Sequence, residues 1–294
     1  MEDIVLSFTD YLIALLFGIV EGITEWLPIS STGHMIILDE IFKLNVSPAF
    51  FDLYLVVIQV GAILAVIILF WNEIWPFGKK NNKHPLSVSG FGSYIKKDKF
   101  ILWFKILVAC IPAAVVGVLL DDIIDSIFYN CWVVAIALMT IGIAFIIIER
   151  NLKLKRKRPR VQRLEDITFK DAFIIGLFQL IAAVFPGSSR SGSTIIGSLI
   201  IGISRNIAAR FTFFLAIPVM LGASLLKIIK YEGGCSSGEI VLLIIGLVSA
   251  FFVSLFAIKG LMGYIKKHDF TGFGWYRIVL GTVVVICGLF GLIN

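Results

Sequence analysis

Charge is scarce in this chain. Of its 294 residues only 16% are Asp, Glu, Lys or Arg while 59% are hydrophobic, and the mean hydropathy is +0.97. Soluble domains carry roughly 25% charged residues, so the composition excludes an ordinary water-soluble fold and reads as an integral membrane protein. No polar stretch is long enough to fold separately, so residues 1–294 read as one membrane domain. The opening MEDIVLSFTD lacks the basic flank and small-residue cleavage site of a secretory signal. Cys110, Cys131, Cys235 and Cys287 lack CxxC or metal spacing and read as structural filler. A Walker phosphate loop is missing as well.

What is present is length of apolar run. Six segments, about 53–75, 101–120, 132–149, 211–230, 239–260 and 275–293, approach the ~20 residues that a bilayer core demands of a helix. The expected class is therefore all-α and polytopic, with six transmembrane helices. The net charge of +6 is concentrated in loops: Arg150 to Arg163 holds eight basic residues, Lys79, Lys80, Lys83, Lys96, Lys97 and Lys99 fill another loop, and Lys266 and Lys267 a third. Such runs in a soluble protein suggest nucleic acid. Beside membrane spans they mark cytoplasmic loops touching anionic lipid headgroups, and no nucleic-acid partner is expected.

Placing those loops inside leaves Asp121 to Cys131, with three aspartates and no lysine or arginine, outside, together with Tyr231 to Glu239. The six spans then alternate only if residues 8–50 begin and end outside and residues 168–206 begin and end inside. Each of these is expected to be a re-entrant helical hairpin, and both termini fall outside. The hairpins also resemble each other. Gly18 to Pro28 has the same Gly-to-Pro spacing as Gly176 to Pro186, which lays Glu21 on Gln179, Ser30-Ser31 on Ser188-Ser189 and Thr32 on Arg190. Phe51 to Ala62 lies weakly against Phe211 to Ala223. Two similar units of opposite orientation make an inverted-topology repeat, with repeat 1 at about 8–149, repeat 2 at about 168–294 and a cytoplasmic basic linker at 150–167.

The polar chemistry sits in the hairpin tips. Glu21 and Glu25 are four apart and share a helix face; at membrane depth they could hold a divalent cation through oxygen ligands or share a proton as an acid–base pair. Snorkelling to the interface is the blander role. Pro28 ends the helix. Ser30, Ser31 and Thr32 read as a turn and N-cap, and three hydroxyls followed by Gly33 suit a loop that wraps an anion. His34, close to two carboxylates and a serine, is a candidate acid–base group. In the second tip, Gly187 and Gly192 allow close backbone approach. Ser188, Ser189, Ser191 and Ser193 supply hydroxyls, Arg190 offers a charged fork for phosphate, and a helix restarts near Thr194. Facing hairpins would bring Glu21, Glu25, Ser31 and His34 toward Arg190 around a membrane-embedded cavity, suited to a phosphate head on a lipid tail.

EGITEWLPISSTGHM and PGSSRSGSTI, supported by FDLYLVVIQVGAILAV, IPAAVVGVLLDDII and FFLAIPVMLGAS, resemble the signatures of the bacterial undecaprenyl-diphosphatase (bacitracin-resistance) family over nearly the whole chain. The resemblance implies removal of the terminal phosphate of undecaprenyl diphosphate, regenerating the monophosphate carrier for cell-wall synthesis. It implies a bacterial plasma-membrane enzyme open to the outer face and assisted by a divalent cation, Mg2+ or Ca2+, which Glu21 and Glu25 would bind. Combining the resemblance with the residues, Glu21, Glu25, Ser31, His34 and Arg190 are the catalytic set. Ser30, Thr32, Gly33, Gly187, Ser188, Ser189, Ser191 and Thr194 are the substrate-binding set. Ser31, His34 and water all stay open as the attacking group, and oligomeric state stays open, a homodimer included. The rival reading is a carrier that moves a prenyl phosphate across the bilayer, since inverted repeats are transporter anatomy; a channel lined by Glu21 and Glu25 would leave the SSRS tip unexplained. Asp121, Asp122 and Asp125 read as solvent-facing, and His84 and His268 as loop residues without chemistry.

Overall fold

A computed structural model describes residues 6–79, 84–87, 89–128, 130–155 and 158–293, without the side chains of residues 118, 121–123, 125 and 126. The expected places of the Asp121, Asp122 and Asp125 side chains, and of Lys80, Lys83, Arg156 and Lys157, lie outside the described residues. The described chain is helical: α1 (Phe8–Thr24), α2 (Ser31–Ile41), α3 (Pro48–Leu69), α4 (Trp71–Ile74), α5 (Lys97–Phe128), α6 (Cys131–Lys155), α7 (Phe169–Val184), α8 (Arg190–Ile200), α9 (Arg205–Lys230), α10 (Ser237–Tyr264) and α11 (Thr271–Leu289). Extended pairing among the described residues is limited to isolated bridges such as Phe77 with Ile95. Helices α3, α5, α6, α9, α10 and α11 are long and apolar enough to cross a membrane, so the chain is a polytopic all-α membrane protein.

Local chemistry sets the boundaries and moves two of them. The first span starts at 48 rather than 53, because Ser47 caps the Phe50 amide and Pro48 takes the first helical position, where a missing N–H costs nothing. It ends at Leu69 rather than 75: Phe70 leaves helical geometry at φ −112° and ψ 19°, and Trp71–Ile74 forms a separate turn with Trp71 stacked on Trp75 at 4.3 Å. The basic linker is not wholly a loop. Residues 150–155 continue α6, with Lys153 and Lys155 in its last turn, where cations favour the negative end of the helix dipole.

Both predicted hairpin segments are helix–turn–helix units, α1–α2 and α7–α8. Each opens with a full capping box, Ser7 with Asp10 and Thr168 with Asp171, and each returning helix is capped by a serine, Ser30 and Ser189. Those caps correct the pairing of the tips. Ser30 matches Ser189, not Ser188; the second turn carries one extra residue. Arg190 therefore stands opposite Ser31 rather than Thr32, and Gly192 opposite Gly33.

Packing between the halves comes in matched pairs. Helix α1 lies on α10 while α7 lies on α5; α3 packs on α10 while α9 packs on α5; α2 touches α11 while α8 touches α6. Each helix–turn–helix unit thus docks on a long helix from the other half of the chain. The helices approach closely where small residues meet, as membrane helices do. A Cβ at Gly61 would sit 2.2 Å from the Leu247 carbonyl oxygen, and one at Gly142 2.7 Å from that of Gly274. Short polar bonds add to this, Tyr54 Oη donating to Ala14 O at 2.6 Å and Ser224 Oγ to Val56 O at 3.1 Å. Large apolar side chains such as Ile68, Ile136, Phe252 and Phe256 point outward, the arrangement lipid requires.

Gly61→Leu forces α3 off α10 and should lower the thermal midpoint in detergent by an amount matching about 1–3 kcal/mol. Gly260→Ala, on an exposed face where a Cβ would meet no atom within 4 Å, should leave it unchanged or raise it slightly.

Candidate active site

The two tips meet, although they are far apart in sequence. Glu25, at the C-cap of α1, accepts from Arg190 Nη2 at 2.8 Å through Oε1 and from Ser31 Oγ at 2.9 Å through Oε2. Arg190 also donates through Nη1 to Thr212 O at 3.0 Å, so three of the five donors a guanidinium carries remain for a ligand among the described residues. Ser31 opens α2 and Arg190 opens α8, so two helix N-termini turn their amide ends to the same place, which favours an anion.

Glu21, Ser31 and Thr32 line a cavity of about 2060 Å³ whose other walls come mainly from α3, α5, α9 and the 231–236 segment. Glu21 is only 2% exposed, and its Oε1 has no hydrogen-bond partner. Water, a proton or a cation is what such an orphaned carboxylate oxygen calls for. Glu25 is different, since both its oxygens are already engaged. Among the described residues no group of three or more His, Cys, Asp or Glu side chains gathers as a metal cage.

Most of the predicted substrate-binding hydroxyls build the scaffold instead. Ser30 and Ser189 cap α2 and α8 by accepting from the Gly33 and Gly192 amides at 3.4 and 3.1 Å. Ser188 Oγ donates to Phe185 O at 2.7 Å, closing the end of α7. Ser191 Oγ donates to Glu25 O at 3.3 Å and shares a hydrogen bond with Ser189 Oγ at 3.1 Å. Thr194 Oγ1 bonds back to Arg190 O at 2.8 Å and to Thr212 Oγ1 at 2.9 Å, fully buried. Gly33 lets α2 pass under Leu138, and Gly187 takes φ +89° in the second turn, a left-handed conformation suited to glycine.

The ring nitrogens of His34 bond to groups other than the carboxylates. Its Nδ1 lies 2.7 Å from Ser30 O and its Nε2 2.8 Å from Tyr276 Oη, with the two rings stacked at 5.6 Å. A carbonyl only accepts, so Nδ1 carries a proton and, in the neutral ring, Nε2 accepts from the tyrosine.

The residue that sequence reading missed is Arg277. It is fully buried on α11 and donates to Pro28 O (3.3 Å) in the first turn, Gly187 O (2.9 Å) and Ser188 O (3.0 Å) in the second, and Leu138 O (3.3 Å) on α6. No carboxylate pairs with it among the described residues. Its signal was visible as an arginine inside an apolar span, a costly placement that marks a task. Beside its contacts, Ser30 and Ser189 adopt φ +74° and +68°, each a strain of about 1–3 kcal/mol that only surrounding structure can hold.

The sequence profile of the family described as bacitracin resistance protein BacA matches residues 14–283. The chain belongs to this family. A protein named undecaprenyl-diphosphatase from Desulfitobacterium hafniense is 55% identical over 273 residues, covering 93% of this chain and 94% of that protein. Undecaprenyl-diphosphatase 1 of Clostridium acetobutylicum is 55% identical over 277 residues, 94% of this chain and 97% of its own. An undecaprenyl-diphosphatase of Enterococcus faecalis is 52% identical over 282 residues, with 96% and 98% covered. The match to the family takes in both hairpin tips and α11 as far as residue 283, so Glu25, Arg190 and Arg277 all lie within it.

Arg277→Met leaves several buried carbonyls without their donor. It should cost about 3 kcal/mol or more of stability and abolish activity, read by thermal unfolding and by phosphate release from the same preparation. Arg277→Lys, with one ammonium for three acceptors in two turns and a fourth on α6, should fall between.

Proposed function

We infer that this chain hydrolyses undecaprenyl diphosphate to undecaprenyl phosphate and inorganic phosphate, recycling the lipid carrier of cell-wall synthesis. Relatives of that name at 52–55% identity over more than nine-tenths of the chain support the reaction. The observation that carries the reading at the level of residues is the Ser31–Glu25–Arg190 sequence of hydrogen bonds at the junction of the hairpins.

In this proposal the diphosphate enters the cavity and draws Arg190 onto its phosphate oxygens, with the amide ends of α2 and α8 behind it. Parting from Arg190 frees one Glu25 oxygen. Ser31 Oγ attacks the terminal phosphorus as the bridging P–O bond breaks, and its proton passes to Glu25. Glu25 hands that proton to the departing undecaprenyl phosphate, then takes a proton from a water that attacks the phosphoserine, and returns it to Ser31 Oγ as inorganic phosphate is released. Positioning and charge stabilisation dominate phosphoryl transfer, so Arg190 carries the largest share. His34 acts through position: its bond to Ser30 O fixes the strained residue beside the nucleophile. Glu21 is the residue that would hold a divalent cation, with Glu25 beside it. When bound, such an ion neutralises charge developing on the diphosphate.

In this reading the basic loops are cytoplasmic, and the cavity mouth, with Lys227, Lys230 and Tyr231, faces the outer side of the plasma membrane. The two hairpins are then re-entrant and related by an inverted repeat, both termini lie outside, and the loops meet anionic lipid on the cytoplasmic side. The matched packing of the halves also suits a carrier of prenyl phosphate. A carrier leaves the Ser31–Glu25 pair without use, which favours the hydrolase.

Arg190→Ala and Ser31→Ala should each lower kcat for undecaprenyl diphosphate at least about a hundredfold, measured as phosphate release by purified protein in detergent. Ser188→Ala, whose hydroxyl closes α7, should stay within about threefold of the parent. Parental turnover by the Arg190 variant sinks the assignment, and binding without turnover by the parent favours the carrier.

A further inference from the structure

Helices α5 and α9 each hold an internal proline, Pro112 and Pro218. Proline inside a helix deletes a backbone hydrogen bond and crowds the preceding turn. Among the described residues, fewer side chains are buried past each of the two prolines. Before Pro112, Leu102, Ile106 and Ala109 are buried; after it Val115, Leu119 and Leu120 are exposed. Before Pro218, residues Phe213 to Ile217 are buried; after it Leu221, Leu225 and Leu226 are exposed. The parted segments wall the 2060 Å³ cavity, with Ala113, Ala114 and Gly117 on one side and Val219, Gly222 and Ala223 on the other. A Cβ at Gly117 or Gly222 would meet no atom within 4 Å, so these glycines keep space open rather than let helices touch.

The small-residue walls lead somewhere. The same cavity reaches Glu21, Ser31 and Thr32, and the buried Glu21 presents its unpartnered oxygen there. Its volume is about twice the upper end of the roughly 300–1,000 Å³ usual for small ligands, more than a diphosphate needs. The opposite wall and mouth are polar, with Gln59, Asp52, Lys227 and Lys230. Roughly 15 Å of helix separates Thr212, whose carbonyl holds Arg190, from Gly222. With the head at Arg190, the first isoprene units would lie between the two glycines.

We propose that the fissure between α5 beyond Pro112 and α9 beyond Pro218 is a lateral portal for a polyprenyl diphosphate, its width set by Gly117 and Gly222. The lipid slides its head to Ser31 and Arg190 while its tail stays among acyl chains, because drawing a long tail through water is strongly unfavourable. Water and free phosphate pass through the polar mouth by a separate route. This rests on the hydrolase reading above.

The test compares full-length parent, Gly117→Leu, Gly222→Leu and Gly222→Ala in detergent, with undecaprenyl diphosphate and with the short, water-soluble farnesyl diphosphate. The leucine variants should lose about tenfold or more in kcat/KM on the long chain, mainly through KM. On the short one they should stay within about threefold, with an unchanged thermal midpoint, and the alanine variant should match the parent. Unchanged turnover of the long chain by both leucine variants, or equal loss on both substrates, overturns the portal. So does a parent that takes the long chain and refuses the short one. A parent inactive on undecaprenyl diphosphate overturns the hydrolase reading itself, a result distinct from the others.

Discussion

A guanidinium sealed from water must find acceptors or forfeit its place, and Arg277 finds them in the two turns that matter. Burying an unpaired charge is prohibitive unless hydrogen bonds replace its solvation. Here carbonyls of Pro28, Gly187 and Ser188 supply that replacement, with Leu138 adding a fourth. The bargain is mutual: those carbonyls belong to turns that cannot bond within a helix, and Arg277 satisfies them while drawing the turns together. The left-handed serines, the start of α2 at Ser31, the start of α8 at Arg190 and the bridge between Glu25 and Arg190 all follow from where the turns are held. Tyr276, one residue earlier on α11, holds His34 in the same neighbourhood.

Hydropathy and proline placement made the spans and hairpin segments legible, because bilayer thickness imposes length and proline imposes breaks. The polar tips were legible for a related reason: Glu21, Glu25 and Arg190 are too costly at that depth to be incidental. The use of each hydroxyl was not legible. Ser30, Ser188, Ser189 and Thr194 look identical in sequence to ligand-binding serines and threonines, yet backbone groups claim them first, since an uncapped helix end inside a membrane has no water to turn to. The tip register was off by one residue because a turn can absorb an insertion that alignment by proline spacing cannot see. His34 was read by proximity in sequence, but its stacking partner lies 242 residues away.

The proposed chemistry rests on a competition. Glu25 is bonded at once to the strongest cation near it and to the hydroxyl of Ser31. While so paired, both of its oxygens are engaged. In the proposed mechanism an anion that outbids Glu25 for Arg190 both seats itself and frees a carboxylate oxygen, so binding and activation become a single event. Water entering alone offers Arg190 no such charge, which protects the pair from idle rearrangement.

The exchange of partners between the halves reaches back to the time the chain is made. Helix α1 docks on α10, which emerges roughly 210 residues later; at ordinary rates of synthesis this is a wait on the order of ten to forty seconds. Throughout it, a hairpin carrying Asp10, Glu21 and Glu25 has neither the α10 surface that packs it nor the arginines that pair and position its tip. Such a segment is poorly suited to lipid on its own. Its nascent form must therefore be sheltered by the insertion machinery, or linger at the interface, until the second half arrives. Biogenesis, and not only the finished fold, is thereby tied to completion of the whole polypeptide.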